Sequence, residues 1–295
     1  MGTFNKVRFT VVGALALAGL AGIFGSGTAQ AGRNGSPTLI KSAIDSGSVD
    51  AIEAELERSE YLVCGACSTM VMPLVDNLDY RVRKVAAWWI ARRGIAHEVY
   101  VGMLTRLSQP DSTAARNAAD VLGELAYPSA IPALSAALSN PIYSGEARAA
   151  MAKALGSINR QTAVPALVAA LGAPEPAVKA SSLAALRSIQ GWKDAAAAEP
   201  LLGDADEQVR AEAAMTYGVA LRTGKAGVAP ASVDRLLVTL ATDPSANVRK
   251  KAAWSLGEMG APAGQALVGL QKASSSDASP LVRSLAQAAI SKLTR

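Results

Sequence analysis

Histidine, cysteine and large aromatic side chains are nearly missing from this 295-residue chain, and their scarcity narrows its chemistry before any motif is sought. There is one histidine, His97, and there are two cysteines, Cys64 and Cys67. A histidine-rich metal centre is therefore excluded, and a Cys₄ or Cys₂His₂ zinc site cannot be assembled within one chain. All three phenylalanines (Phe4, Phe9 and Phe24) lie near the start of the chain, and aromatic residues make up 4% of the whole. No Gly-x-Ser-x-Gly elbow is found. The stretch from Gly218 to Gly224-Lys225 has five residues between its glycines where a phosphate-binding loop has four, and Ala226 where that loop needs Ser or Thr. The net charge of +5 is modest and spread out, so no nucleic-acid partner is expected. These absences leave no catalytic constellation, and they point to neither a cofactor nor a metal.

Alanine is abundant instead, at 61 residues, and half of the chain is hydrophobic. Alanine is the best helix former and the smallest packing side chain, so the composition is that of an all-α protein with close helix contacts. Residues 1–31 read as a secretory signal peptide. Lys6 and Arg8 provide a positive start, Val11 to Phe24 an apolar stretch, and Ala29-Gln30-Ala31 a small-x-small cleavage pattern. A spanning helix needs roughly 20 apolar residues, which this stretch does not supply, so no stable membrane insertion is expected after cleavage. The expectation is an exported protein of the periplasm or extracellular space.

Beyond residue 60 the chain repeats itself. The segment Val248-Arg249-Lys250-Lys251-Ala252-Ala253-Trp254-Ser255-Leu256-Gly257 recurs with its second position at Arg83, Ala115, Arg148, Lys179, Arg210, Arg249 and Arg283. Spacings are 31 to 34 residues except for one of 39, which accommodates a Gly/Ala/Pro-rich insert at 222–232. Seven residues on stand Ile90, Leu122, Leu155, Leu186, Tyr217, Leu256 and Ile290, the core stripe of an amphipathic helix. The next residue is Gly123, Gly156, Gly218 or Gly257 in four copies, small enough for a neighbouring helix to come close. Asp79, Asp111, Glu175 and Asp206 precede the helix as caps or first-turn acids. An earlier helix, as in Ile131-Pro132-Ala133-Leu134, completes each unit.

The combination P-A-L-x-x-A-L followed by D-x-x-V-R-x-x-A-x-x-x-L-G resembles the short HEAT-like repeat named after the phycobilisome bilin lyases. It implies a right-handed α-solenoid of stacked helix pairs, with about seven repeats over 63–295. Residues 32–62 read as N-terminal capping helices: Ser36-Pro37 opens one and Ser48 the next, with Glu53, Glu55 and Glu57 facing outward. The resemblance implies fold far more than function, since such repeats serve many roles. Deoxyhypusine hydroxylase is also built of these repeats, but its several His-Glu pairs reduce here to His97-Glu98 alone, placed in a turn after Gly94.

Two features remain as candidate sites. The pair Cys64 and Cys67 suits a structural disulfide in an exported protein, or else a redox-active dithiol. Haem attachment would need a His where Ser68 stands. The second feature is a surface. Five residues after the repeated basic position stand Trp88, Asp120, Lys153, Ala184, Met215, Trp254 and Ala288, too varied for shared core. In HEAT-like solenoids the second helices line the concave face. Arg81, Lys84, Trp88 and Arg92 then form a basic, aromatic stripe, and Trp254 lies five units away. Trp88 and Trp89 could equally close the junction with the cap. The repeated arginines read as a structural ladder, with Asp79 and Asp206 as partners. The expected function is non-catalytic binding of another protein, as a monomeric scaffold in the cell envelope. The alternatives are a redox accessory protein using Cys64 and Cys67, and a bilin lyase-like enzyme implied by family resemblance only.

Overall fold

A computed structural model of the chain describes residues 35–222, 230–259 and 263–294. The segment read as a signal peptide lies outside the described residues, as does most of the insert. Among the described residues there are α-helices and short 3₁₀ turns, and no strand. The helices are α1 (Pro37–Ser46), α2 (Val49–Arg58), α3 (Gly65–Val71), α4 (Tyr80–Ile90), α5 (Ala96–Leu107), α6 (Ser112–Leu125), α7 (Ile131–Ser139) and α8 (Gly145–Ile158). They continue with α9 (Val164–Ala170), α10 (Pro176–Ser188), α11 (Ala195–Ala198), α12 (Glu207–Leu221), α13 (Pro230–Thr242), α14 (Ala246–Glu258), α15 (Ala263–Ser276) and α16 (Pro280–Leu293). The insert is therefore shorter than its composition suggests, because Pro230 already opens α13.

Each odd-numbered helix pairs with the even-numbered one that follows, and the even-numbered helices stack side by side as an inner row. The row starts with α2 against α4, so the α1–α2 pair continues the stack. Side-chain caps begin the inner helices. Asp79, Asp111 and Asp206 each accept from a backbone N–H two residues on, at 2.7 to 2.8 Å. Ser36 and Ser48 cap α1 and α2 in the same way.

Packing of the inner row follows the repeat. Ile90, Leu122, Leu155, Leu186 and Leu256 are fully buried, Tyr217 nearly so, while Ile290 in the last helix is only half-buried. Where the residue beside one of these is glycine, it is a contact point. A Cβ at Gly156 would stand 2.8 Å from the Cα of Ala185 on the next inner helix, and one at Gly257 would stand 3.0 Å from that of Ala289.

The repeated arginines do form a ladder, but its partners differ from those expected. Arg210 Nε donates to Asp243 and Arg249 Nε to Asp277, both at 2.8 Å. Arg83 reaches Asp120 and Arg148 reaches Glu175. Each carboxylate belongs to the following repeat. Asp79 and Asp206 are occupied as caps within their own turns and do not face the arginine. In Arg83, Arg210 and Arg249 the Nη1 group binds its own turn, Arg210 holding the carbonyls of Asp204 and Ala205 and Arg249 those of Asp243 and Pro244, whereas Arg148 gives Nη1 to Glu175 and Nε to the carbonyl of Leu138. One side chain thus fixes its own turn and anchors the next repeat.

Two further expectations need correction. Glu55 does not face outward but is buried, ion-paired with Arg58 and packed beside Gly35. His97 is not in a turn but in the first turn of α5, where it is exposed with its ring 6.0 Å from that of Tyr100.

Candidate binding surface

Along the inner row, the variable position stays open on most helices. Trp88, Ala184, Met215 and Trp254 are half-buried there, and Lys153 and Ala288 are exposed. These positions lie on α4, α8, α10, α12, α14 and α16, and their chemistry changes from helix to helix. On α6 the position is Asp120, whose side chain is buried against Arg83, so the strip is interrupted between α4 and α8. Trp88 and Trp254 sit at opposite parts of it, with four inner helices between them.

The basic, aromatic stripe on α4 is largely neutralised by its own surroundings. Arg81 pairs with Asp50 and Glu53 of α2. The helix ends at Ile90, and Arg92 lies just beyond it, stacked 4.0 Å over the Trp88 ring and 3.0 Å from Glu60. Only Lys84 is exposed without an ion pair, and its charge acts on Glu124 of α6. Trp89, by contrast, is fully buried and donates to Ser59 at 3.0 Å, closing the junction with α2. Of the two adjacent tryptophans, Trp89 therefore closes the junction, while Trp88 stays half-buried beneath Arg92.

Sequence reasoning put Asp120 on the variable surface but missed its bond to Arg83 and missed Glu124 altogether. Asp120 and Glu124, one turn apart on α6, each follow Trp88 and Arg92 by one repeat, and that register was the available signal. Burial pushes both carboxyls above their ordinary range, with each raised further or held back by the charges around it. For Asp120 the hydrogen-bonded Arg83 opposes the rise, and for Glu124 Lys84 does.

The second candidate lies at the same end. Cys64 and Cys67 form a close pair, with Cys67 buried and Cys64 half-buried. Cys64 borders a cleft of about 690 Å³ lined also by Tyr61, Val63, Arg92 and Arg93. Tyr61 and Val63 are almost wholly exposed at its mouth. Arg93 holds the loop in place, donating to the carbonyls of Ser59, Glu60 and Leu62 while stacking on Trp89. Burial, aided by neighbouring Arg92, lowers its pKa to about 10. Sequence spacing marked the cysteines but not Arg93.

Among the described residues, no group of three or more His, Cys, Asp or Glu side chains is placed to hold a metal ion, and no helix is long and apolar enough to cross a membrane.

Comparison with known proteins bears on the fold. The family profile for HEAT repeats matches residues 143–218 and 196–291, together half of the chain, and that for the PBS lyase HEAT-like repeat matches 114–140. No curated protein sequence matches. Among solved structures, the YibA protein of Escherichia coli is 16% identical over 88% of this chain and 93% of its own, with a TM-score of 0.53. An archaeal HEAT-like repeats protein from Thermococcus onnurineus is 14% identical over 77% of this chain and 97% of its own, with a TM-score of 0.51. The complex of CpcE and CpcF of phycocyanin lyase from a Nostoc species is 21% identical over 77% of this chain and 94% of that one, with a TM-score of 0.43. The register of buried leucines, close-contact glycines and inter-repeat arginine pairs agrees with the profile match: the chain belongs to the HEAT-repeat family.

Proposed function

We propose that this chain is an exported scaffold that binds another protein along the inner row of helices, the concave face of the solenoid. One observation carries the reading. The same position on most inner helices is left open, and its chemistry varies from Trp88 through Lys153 and Met215 to Trp254, whereas on α6 Asp120 is taken up by Arg83. A surface with a different side chain on each rung suits an extended partner read at several points. Trp88 and Trp254 are the natural anchors, because a half-buried tryptophan can add apolar contact without first being ordered.

The test is affinity capture from envelope extract with the purified chain as bait, followed by the same capture with Trp88→Ala and Trp254→Ala. A partner retained by the wild type and lost, about tenfold or more, from either variant supports the reading. Equal retention by both variants places the partner elsewhere and defeats it.

A second reading has its own observation, the unequal exposure of the two sulfurs beside the cleft. An incoming substrate thiolate would attack Cys64 Sγ, and Cys67 would leave as the thiolate. The substrate's second thiol would then displace Cys64, so the substrate dithiol is oxidised and the cysteine pair reduced. Titration against glutathione decides it. A pair that stays oxidised across the whole glutathione range is structural, whereas one that cycles within that range, with Cys67→Ser trapping mixed disulfides through Cys64, is redox-active.

A further inference from the structure

Two of the seven repeat units carry the same lysine–tryptophan pair, and we infer that together these pairs read an acidic, extended segment of the partner protein. Lys84 and Trp88 on α4 stand one and five residues after the repeated basic position, and Lys250 and Trp254 on α14 stand at the same two places. None of the other units has lysine at the first place or tryptophan at the second. Side chains four apart on a helix share one face, with Cβ atoms about 5–6 Å apart. Lys84 is exposed, and Trp88, Lys250 and Trp254 are half-buried. Each pair therefore offers an ammonium beside an indole. An acid of the segment meets the lysine, and an apolar residue next to it meets the tryptophan.

The charge left unmatched on the inner row points to an acidic occupant. Arg81 and Arg92 are held by acids of the preceding pair, Arg116 by Glu146, Arg187 by Glu212, and Asp120 by Arg83. Lys84, Lys153, Lys250 and Lys251 have no ion pair among the described residues. Two carboxylates of α4 to α14 in this row are likewise without one. Glu124 feels the charge of Lys84 without touching it, and Glu207 already accepts from Ser245. The surplus is positive, yet lysines this sparse do not suit a nucleic acid, whose strand in a duplex carries a charge about every 3.4 Å.

Spacing sets the length of the segment. Ala149, Ala180 and Ala211 hold the lysine position on α8, α10 and α12 and are buried, so the row between the pairs is smooth there. From α4 to α14 the inner row advances five helices, roughly 40–50 Å at about 8–10 Å for each step. An extended chain covers that distance in about 12–15 residues. The segment that fits thus carries two clusters, each an acid beside an apolar residue, separated by about that length. Lys153 on α8 offers a contact to an acid between them. This inference rests on the inner-face reading above and names the chemistry of its partner.

Anisotropy titration of the purified chain with labelled synthetic peptides tests it at low salt, with circular dichroism to establish that each variant is folded. The probe joins two Glu-Leu-Glu clusters through about 14 prolines, a semi-rigid spacer of about 3.1 Å per residue. It should bind at least about tenfold more tightly than the same clusters joined through about four prolines, and added salt should weaken it. Lys84→Glu and Lys250→Glu should each bring the long probe down to the level of the short one. The inference is overturned by no binding, by equal binding of both spacings, or by equal binding of a Lys-Leu-Lys probe or oligothymidylate. Indifference to both lysine variants overturns it too. The two readings fail differently. A captured partner that is lost by Trp88→Ala or Trp254→Ala, but kept by Lys84→Glu and Lys250→Glu, leaves the inner face standing and overturns the acidic segment. Retention by both tryptophan variants defeats the inner face itself.

Discussion

Replacing Gly156 with alanine sets two effects of similar size against each other, and the geometry of the inner row decides the sign. In an exposed helix interior the change stabilises by roughly 0.5–1 kcal/mol, because alanine restricts the unfolded chain and favours the helix. Gly156 lies within α8, where a new Cβ would meet the Cα and Cβ of Ala185 at 2.8 Å and Ser188 Oγ at 3.1 Å. The first of these is backbone of α10 and cannot rotate away. Ordinary contact requires α8 and α10 to part by roughly half an ångström, and over-packing of this kind costs about 1–3 kcal/mol. The same movement stretches the Arg148–Glu175 bonds between these repeats, now 2.9 and 3.0 Å. The over-packing outweighs the propensity gain, for a net loss of about 1–2 kcal/mol.

Gly102 is the control, being exposed in α5 with nothing within 4 Å of an added Cβ. Gly102→Ala should stabilise by roughly 0.5–1 kcal/mol. Urea unfolding followed at 222 nm compares the two, and hydrogen exchange shows whether the loss is centred on α8 and α10. Solenoid stability is a sum of repeat and interface terms, so local protection is the sharper readout. If Gly156→Ala raised the midpoint as Gly102→Ala does, the close-contact role of the repeated glycines would be wrong.

Three other outcomes follow from the ladder and from the N-terminal junction. Asp277 is hydrogen-bonded to Arg249, and that holds its carboxyl below the ordinary range despite some opposing burial. Its folded pKa is depressed, so its contribution is present above about pH 4 and lost as pH falls through the folded value. Asp277→Asn should therefore destabilise by about 1 kcal/mol at neutral pH, with the difference from wild type vanishing in thermal melts near pH 2. Asp120 runs the other way, because burial raises its carboxyl. Acid-induced opening followed by hydrogen exchange should accordingly begin in the α13–α16 repeats before α4–α6. Trp89→Phe keeps the buried ring but leaves Ser59 without its donor, at a cost of about 1 kcal/mol. Faster amide exchange in α1 and α2 alone would bear this out, and unchanged exchange there would refute it.

The fold was legible because a repeat states its own register. Comparing seven copies separates a position that is always large, such as Leu122 or Leu155, from one that is mostly small and one that varies, and each class has a distinct physical job. The caps were legible for the same reason, and Asp79 and Asp206 cap their helices as read. What spacing within one unit could not show is which unit a side chain reaches. Arg249 is closer in sequence to Asp243 than to Asp277, yet its carboxylate partner is Asp277 of the next repeat. Only its Nη1 turns back, to a carbonyl. The same blindness made Arg81 and Arg92 look like free cations, because their acids, Asp50, Glu53 and Glu60, belong to the preceding pair.

The direction of those contacts has a consequence for stability. Arg210 and Arg249 clamp their own turns with carbonyl bonds and reach forward to a carboxylate, so each repeat is completed by the one after it. Arg81 and Arg92 reach backward, so the α1–α2 pair is held by the first full repeat instead. The α1–α2 end is therefore closed with ion pairs, a tryptophan hydrogen bond and the Arg93 clamp on three carbonyls. The first full repeat is thus gripped from both sides, because Arg83 of α4 reaches forward to Asp120 of α6 while Arg81 and Arg92 hold α2 and Glu60 behind it. Removing the backward contacts with Arg81→Ala should speed amide exchange in α1 and α2 and leave α8 and α10 unchanged, and loss of protection in α8 and α10 as well would refute this directional rule.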